Sequence, residues 1–259
     1  MSIAEPLASL LPTHLDLPHT DNKPVDNAYQ PEQSYLLTSS LLPYLSRLHP
    51  DGNYFIGADC GIYWAHKKEP LDGCKAPDWY YVPNVPRMLD GTYRRSYVMW
   101  QEMMAPLLVV EYVSGNGTEE RDETPETGKF WVYERGIKAA YYAIHDPDRC
   151  MLEVFELIRG RYQPMTLDLN GRFRIPAMEL DLGIWEGLYH GYLANWLRAW
   201  DWNGILIPTH EENYDFQHKR AEQERQRAEQ QQQLAEQERQ RAEVLAARLR
   251  ELGIDPDAI

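Results

Sequence analysis

The stretch that decides the fold is residues 107–113, which read Leu-Leu-Val-Val-Glu-Tyr-Val. A run of apolar and β-branched residues of this length predicts a strand that is buried on both faces. Glu111 stands in the middle of the run, and burying an unpaired carboxylate costs too much free energy to be incidental. The sequence therefore predicts that Glu111 either has a strong partner or binds a ligand.

The segments on either side of this strand carry two more residues suited to the same chemistry. Upstream, Ala76-Pro77-Asp78 opens a short aromatic strand, with Asp78 at its start. Downstream, a polar, acidic loop leads to Thr124-Pro125-Glu126, which has the composition of a helix N-terminus. The helix predicted from it carries Lys129 and ends at Gly136.

These three side chains fit a metal-assisted reaction on a phosphate. Two facing carboxylates, such as those of Asp78 and Glu111, repel each other unless a cation lies between them, and Mg²⁺ prefers such oxygen ligands. An adjacent lysine would orient a water or neutralise charge on a phosphate. The pattern also fits a structural alternative, in which Asp78 caps a turn, Glu111 pairs with an arginine and Lys129 is solvated.

Composition and charge restrict the classes of function. The chain has 259 residues, 43% of them hydrophobic, which is enough for one sizeable core with an appendage. Its formal net charge of −14, with 30 acidic against 18 basic residues before residue 215, argues against a broad basic surface for nucleic acid. Any nucleic-acid site must therefore be local.

The sequence also indicates the cellular setting that we expect. No apolar run reaches the roughly 20 residues that a membrane span requires. The first residues, Met-Ser-Ile-Ala-Glu-Pro, lack the basic start of a secretory signal, so we expect a cytoplasmic protein without a membrane partner. Three cysteines with no paired CxxC spacing indicate neither a disulfide framework nor a zinc site.

Local patterns predict a mixed α/β fold. Residues 31–48 are predicted to form either one helix or two short ones that Pro43 separates. Besides the two strands already described, further strands are predicted wherever a short apolar or aromatic run lies between turn signals. These predicted strands are residues 54–56, 62–65, 95–101, 139–144, 151–158, 162–167, 173–175, 196–200 and 205–207.

The chain divides by composition into three segments. Residues 1–30 form a proline-rich arm, 31–213 the globular domain and 214–259 a tail rich in Gln, Glu, Arg and Ala. In the tail, the nine residues 221–229 recur unchanged as 235–243, an offset of two heptads. This repeat predicts a long helix, and its alanine-rich seam favours only a weak coiled coil.

The order of these motifs resembles a known group of nucleases. Ala76-Pro77-Asp78, the strand and Ser at 108–114, Lys129 in a helix and the following strand at 136–146 resemble the PD-(D/E)xK restriction-endonuclease-like superfamily. More closely, they resemble a widespread bacterial family of uncharacterised endonucleases within it, in which similar repeat tails occur. The resemblance covers roughly residues 30–208 and implies a mixed central sheet flanked by helices, with extra hairpins and a long C-terminal helix.

The resemblance also implies roles for particular residues. Asp78 and Glu111 would bind Mg²⁺, or Mn²⁺ in its place, helped by a main-chain carbonyl near Tyr112. The superfamily's usual lysine lies two residues after the glutamate, where this chain has Val113. In the closer family a helix lysine replaces it, which corresponds to Lys129. The resemblance therefore implies Asp78, Glu111 and Lys129 as the catalytic residues.

Two further acids and the partners complete the expectations. Glu32 is the candidate for a third acid from the first helix, whereas Asp122 in the acidic loop is expected to be solvated. The implied function is Mg²⁺-dependent hydrolysis of DNA by a homo-oligomer, with a dimer formed through the core. The alternative is a non-catalytic binding or assembly module with the same fold, and the acidic balance favours this alternative more than the motif does.

Overall fold

The structure, a computed structural model, describes residues 11–20 and 27–251. Most of the predicted N-terminal arm, namely residues 1–10 and 21–26, and the last eight residues of the tail therefore lie outside the described residues. The chain separates into two compact units, Met1–Thr209 and His210–Ile259. The candidate site residues all belong to the first unit.

Helices and strands follow one another in mixed order. In chain order they are α1 (Tyr29–Leu48), β1 (Tyr54–Gly57), β2 (Ile62–Tyr63), β3 (Cys74–Lys75), β4 (Trp79–Pro83), β5 (Tyr97–Val98), α2 (Met99–Glu102), β6 (Leu108–Tyr112), α3 (Lys129–Trp131, continued by a π-helix over Val132–Ile137), β7 (Tyr141–Asp146), β8 (Met151–Ile158), β9 (Arg161–Pro164), β10 (Arg172–Ile175), β11 (Leu180–Tyr189), β12 (Tyr192–Asp201) and α4 (His210–Glu251).

The central sheet has the strand order β1-β4-β6-β7-β8-β9. It is mixed, because β6 and β7 run parallel while the neighbouring pairs are antiparallel. Strands β10, β11 and β12 form a second, antiparallel sheet, and β3, β2 and β5 form a small third one. The predicted mixed α/β fold with a mixed central sheet, extra hairpins and a long C-terminal helix is confirmed.

Strand β6 is buried on both faces, as its composition predicts. Val110 and Tyr112 belong to a core shared with α1 and the second sheet. Val109 and Val113 belong to a second core, which contains Tyr133 of the π-helix. Because side chains alternate along a strand, Glu111 lies on the same face as Val109 and Val113. The fold therefore directs its carboxylate towards the segment that carries Lys129.

Helix α1 is a single helix that continues through Pro43. A proline inside a helix costs about 3 kcal/mol, because it removes one hydrogen bond and crowds the preceding turn. The helix also buries a stripe formed by Leu37, Leu41 and Leu45 in the first core. We infer that the burial of this stripe offsets the cost of Pro43, so the helix does not divide into two.

The predicted strand at 95–101 is wrong over most of its length. Only Tyr97–Val98 is a strand, and α2 begins at Met99. The two strand residues are fully buried and pair in parallel with β2. The helix ends at Glu102, and the next residue, Met103, adopts a left-handed conformation with a φ of 56°. Pairing with a two-residue strand leaves the remaining residues without ladder partners, so they form a helical turn instead.

The second unit consists of the 42-residue helix α4, which begins four residues before the predicted change in composition at residue 214. Its described side chains are exposed along nearly all of its length. Ion pairs one turn apart, such as Arg220 with Glu224 and Arg239 with Glu243, support the helix on its own surface. Within the described ranges, no helix is both long and apolar enough to cross a membrane.

Candidate active site

Asp78 and Glu111 are neighbours across two strands of the central sheet. The antiparallel register of β4 and β6 places Asp78, which directly precedes β4, opposite Glu111. The main-chain N–H of Tyr112 donates a hydrogen bond to Asp78 Oδ2 at 2.6 Å. From α1, the Ser34 hydroxyl donates to the main-chain oxygen of Asp78 at 3.1 Å. The sheet and α1 therefore hold Asp78 beside Glu111.

Glu111 is almost completely buried, with 1% of its surface exposed. Lys129 Nζ lies 3.0 Å from Glu111 Oε2, and the Tyr133 hydroxyl donates a hydrogen bond to Oε1. Both oxygens of this carboxylate are thus engaged by donors from α3 and its π-helical continuation. The structure brings together all three side chains that the sequence predicts as catalytic, namely Asp78, Glu111 and Lys129.

The ionisation of these groups reflects their burial. Burial, followed by the nearby charge of Glu111, raises the pKa of Asp78 to about 8. Burial alone would lower the pKa of Lys129, but Glu111 and two further acids raise that pKa above its ordinary value. At neutral pH the site therefore holds a proton on Asp78 and an ammonium on Lys129, which together balance part of the buried acidic charge.

The helix that carries Lys129 starts later than the sequence predicts. Thr124 does not cap it; instead, the helix begins at Lys129 with Gly128 before it. The Thr124 hydroxyl and main-chain N–H bond to the Asp122 carboxylate at 2.6 and 2.8 Å. The main-chain oxygen of Asp122 accepts the N–H of Phe130 at 3.0 Å. The loop folds back over the start of the helix, so the main-chain oxygen of Asp122 accepts the hydrogen bond there that a capping side chain would otherwise accept.

The two additional acids considered from the sequence have other partners. The Thr124 hydroxyl and main-chain N–H hold the Asp122 carboxylate within the loop, and these hydrogen bonds lower its pKa. Glu32, on α1, lies 2.9 Å from His190 Nδ1. From the same helix, Ser34 rather than Glu32 reaches the main chain of Asp78.

Glu120 belongs to the same cluster, although the sequence did not indicate it. The side chain is fully buried, and its Oε1 lies 3.6 Å from Lys129 Nζ. Glu119 Oε1 lies at a similar 3.5 Å, but that side chain is 67% exposed. In the sequence both residues appear as part of a solvated acidic loop. The hydrogen bond from the Tyr142 hydroxyl to the main-chain oxygen of Glu120 joins this loop residue to the central sheet.

Lys75 is a second lysine close to the cluster. Burial lowers its pKa, with a further lowering by the charge of Lys129, while Glu111 and Asp122 act in the opposite direction. Lys75 ends β3, three residues before Asp78. The position of Lys75, three residues before Asp78, is the sequence signal that points to a place for this lysine near the site.

Comparison with known proteins identifies the family of this chain. A sequence model of the Uma2 family, described as "Putative restriction endonuclease", matches residues 22–194. The chain belongs to the Uma2 family. The matched range includes Asp78, Glu111, Lys129 and the loop with Glu120, and it confirms the resemblance to a family of restriction-endonuclease-like proteins.

No functionally curated protein matches this Uma2 chain. A solved crystal structure, described as a "putative nuclease belonging to DUF820 from Anabaena variabilis ATCC 29413", is similar to it. The two chains are 12% identical, the match covers 62% of the Uma2 chain and 81% of the other, and the TM-score is 0.40. Membership of the Uma2 family rests on the family match over residues 22–194.

The residues of the Uma2 chain fit a small, hard divalent cation. Mg²⁺ is commonly held by one or two carboxylates and keeps several waters, so Asp78 and Glu111 are a sufficient protein contribution. Among residues 11–20 and 27–251, no three His, Cys, Asp or Glu side chains are grouped to hold a metal ion. Burial, followed by the nearby charge of Glu111, raises the pKa of Asp78, and a divalent cation beside the two carboxyls would favour the ionised form of Asp78.

Proposed function

We propose that the chain is a divalent-metal-dependent endonuclease that hydrolyses DNA phosphodiester bonds. The observation that carries the proposal is the buried pair of Asp78 and Glu111, with the Lys129 ammonium 3.0 Å from one oxygen of the pair. Membership of a family described as restriction endonucleases supports the choice of DNA as the substrate.

Each side chain has a role that its surroundings suit. When bound, Mg²⁺ or Mn²⁺ supplies Lewis-acid stabilisation of the charge on the phosphate. Asp78, which would release its proton to solvent on metal binding, would offer oxygen ligands together with Glu111 and the main-chain carbonyl of Tyr112. Lys129 keeps a positive charge where the attacking water and the phosphate meet. The Tyr133 hydroxyl holds Glu111 in a fixed orientation, as hydrogen bonds behind ligands commonly do.

The acidic surroundings make DNA binding depend on added positive charge. The cluster contains Asp78, Glu111 and Glu120, and Lys129 and Lys75 are the cations that lie with them. A phosphate backbone would be repelled by such a cluster unless a divalent cation entered it. This explains how a chain of net charge −14 could still act on DNA through one local site.

Nicking of supercoiled plasmid in the presence of Mg²⁺ or Mn²⁺ tests the proposal. We expect Asp78→Asn and Glu111→Gln to lose activity, and Lys129→Met to lose at least about a hundredfold, as removal of one charge-stabilising group commonly does. Asp181→Asn is the matched control, because Asp181 is also buried but pairs with Arg174 at 2.9 Å on the second sheet. Equal nicking by all of the variants, or nicking that survives EDTA, would contradict the assignment.

A non-catalytic binding or assembly module is the second candidate. The observation that favours it is that both oxygens of Glu111 already have protein partners, Lys129 and Tyr133. The excess of acidic over basic residues also favours the binding or assembly module. A mobility-shift experiment on the same plasmid separates the two. Binding that needs no divalent cation, with no nicking in any metal, would support the module.

A further inference from the structure

Glu120 is a buried carboxylate to which the proposed chemistry gives no role. Its side chain is fully buried, and neither carboxylate oxygen accepts a hydrogen bond from any donor in the described part of the chain. The Tyr142 hydroxyl donates to the main-chain oxygen of Glu120 at 2.9 Å and so fixes the residue in the interior. Burial of a carboxylate without a donor costs free energy, so a nearby cation must compensate for it.

Lys129 is that cation. Its Nζ lies 3.6 Å from Glu120 Oε1 and 3.0 Å from Glu111 Oε2. The ammonium is therefore hydrogen-bonded to one buried carboxylate and stands just beyond hydrogen-bond distance from another. Rotation about the terminal bonds of a lysine side chain is enough to exchange two acceptors at these distances.

A divalent cation on Glu111 would change this balance. It would share the carboxylate with the Lys129 ammonium, and two positive charges at one buried carboxylate repel each other strongly. The second oxygen of Glu111 already accepts a hydrogen bond from Tyr133. Lys129 then needs another acceptor. Glu119 Oε1 lies 3.5 Å from its Nζ but on an exposed side chain that water screens, whereas the Glu120 carboxylate is buried and attracts the ammonium more strongly.

We propose that Glu120 is a positioning residue that accepts the Lys129 ammonium when Glu111 binds a divalent cation. The inference rests on the proposed function, since it requires a metal at Asp78 and Glu111. By this exchange Lys129 leaves the metal ligand but stays beside the reacting phosphate. The exchange moves no proton and forms no covalent bond.

Calorimetric titration of Mn²⁺ into the full chain, at one fixed pH, tests the exchange without relying on activity. We expect the Kd for Mn²⁺ to rise about tenfold in Glu120→Gln, because Lys129 then competes for Glu111. Glu119→Gln is the matched control: it removes the same charge at 3.5 Å from Lys129 Nζ, but from an exposed side chain. We expect this variant to change the Kd less than about twofold, because exposed charges are screened.

The double variant separates an effect through Lys129 from a direct effect on the metal. In a Lys129→Met background, Glu120→Gln should leave the Kd for Mn²⁺ unchanged. A tenfold loss that persists without Lys129 would make Glu120 a ligand instead, and an unaltered Kd in the single variant would also overturn the exchange. Both results would leave the proposed function standing, whereas absence of Mn²⁺ binding by the wild-type chain would overturn both proposals.

Unfolding curves measured on the same samples exclude damage to the fold. Because Gln has nearly the same shape as Glu and carries no charge, Glu120→Gln should unfold at the same temperature as the wild type, or higher, in EDTA. If this variant unfolds earlier, Glu120 supports the fold rather than the position of Lys129. In that case the exchange is wrong, whatever the titration shows.

Discussion

At the scale of single residues, the proton on Asp78 links the stability of the chain to pH. The folded-state pKa of about 8 lies above the ordinary value of 3.8 because of burial and Glu111. The native state therefore binds this proton more tightly than the unfolded state, and the stability that the proton contributes is lost as pH rises from about 4 to about 8. We expect Asp78→Asn to remove this dependence.

Urea unfolding in EDTA at pH 5 and pH 8 measures the effect. Asp78→Asn should be more stable than the wild type at pH 8 by about 1–3 kcal/mol, with a smaller difference at pH 5. Asp181→Asn, which breaks the pair with Arg174, should lose stability at both values. If the free energy of unfolding changes with pH by the same amount in the wild type and in Asp78→Asn, then Asp78 has an ordinary pKa.

The sequence identified some residues of the cluster and missed others for physical reasons. Glu111 was recognisable because a carboxylate inside an apolar strand breaks a local rule. Glu120 was not, because its neighbours are charged and its burial depends on Tyr142, a residue 22 positions away. Tyr133 appeared only as one more aromatic residue, and its contact with Glu111 depends on how the π-helix lies against β6.

At the scale of elements, the close packing of the acidic loop on α3 determines where Lys129 lies. A Cβ atom at Gly128 would come within 2.2 Å of the main-chain oxygen of Asp122. That oxygen is also the acceptor for the N–H of Phe130 at the helix start. We expect Gly128→Ala to push the loop off the helix, lowering stability by about 1–3 kcal/mol and weakening Mn²⁺ binding.

A second glycine provides the control for this prediction. A Cβ at Gly183 would come no closer than 3.0 Å to the Arg172 side chain and 3.1 Å to the Trp200 ring, so these side chains need to move by only a few tenths of an ångström. Gly183→Ala should therefore cost less than about 1 kcal/mol and leave Mn²⁺ affinity unchanged. Thermal unfolding and Mn²⁺ titration of both variants check the difference. Similar losses in the two variants would mean that the packing at Gly128 has no special importance for the site.

The sequence predicts a strand well where its local pattern of apolar residues is strong, and poorly where pairing with a distant strand determines its extent. Strand β8 has the predicted bounds, since apolar residues occupy six of its eight positions between two turn signals. Strand β11 was missed, because its glycines at 183 and 187 weaken the pattern. Its ten residues are strand because each pairs with β12, with Trp185 opposite Trp196.

At the scale of the whole molecule, the tail should contribute little to assembly. Helix α4 is exposed along nearly all of its described length, and the repeat places alanines such as Ala221, Ala228 and Ala235 on its seam. Alanines bury little apolar area, so the gain from pairing two such helices is small. We expect a chain truncated after Tyr214 to keep its fold, its Mn²⁺ affinity and its oligomeric state, which we propose is a dimer formed through the core.

Light scattering on the full and truncated chains checks this prediction, with circular dichroism to confirm that the first unit stays folded. The same molecular assembly before and after truncation supports a core interface. A dimer that becomes a monomer on truncation would show that the helical seam sets the assembly, despite its alanines.

The proposed function requires that Asp78 and Glu111 together hold a divalent cation. Crystals grown with Mn²⁺ and measured at the manganese absorption edge test it most directly, because the anomalous signal locates the metal itself. We expect one peak between the two carboxylates, about 2.0–2.3 Å from an oxygen of each. A peak elsewhere, or none while Lys129 Nζ keeps its 3.0 Å contact with Glu111, would contradict it.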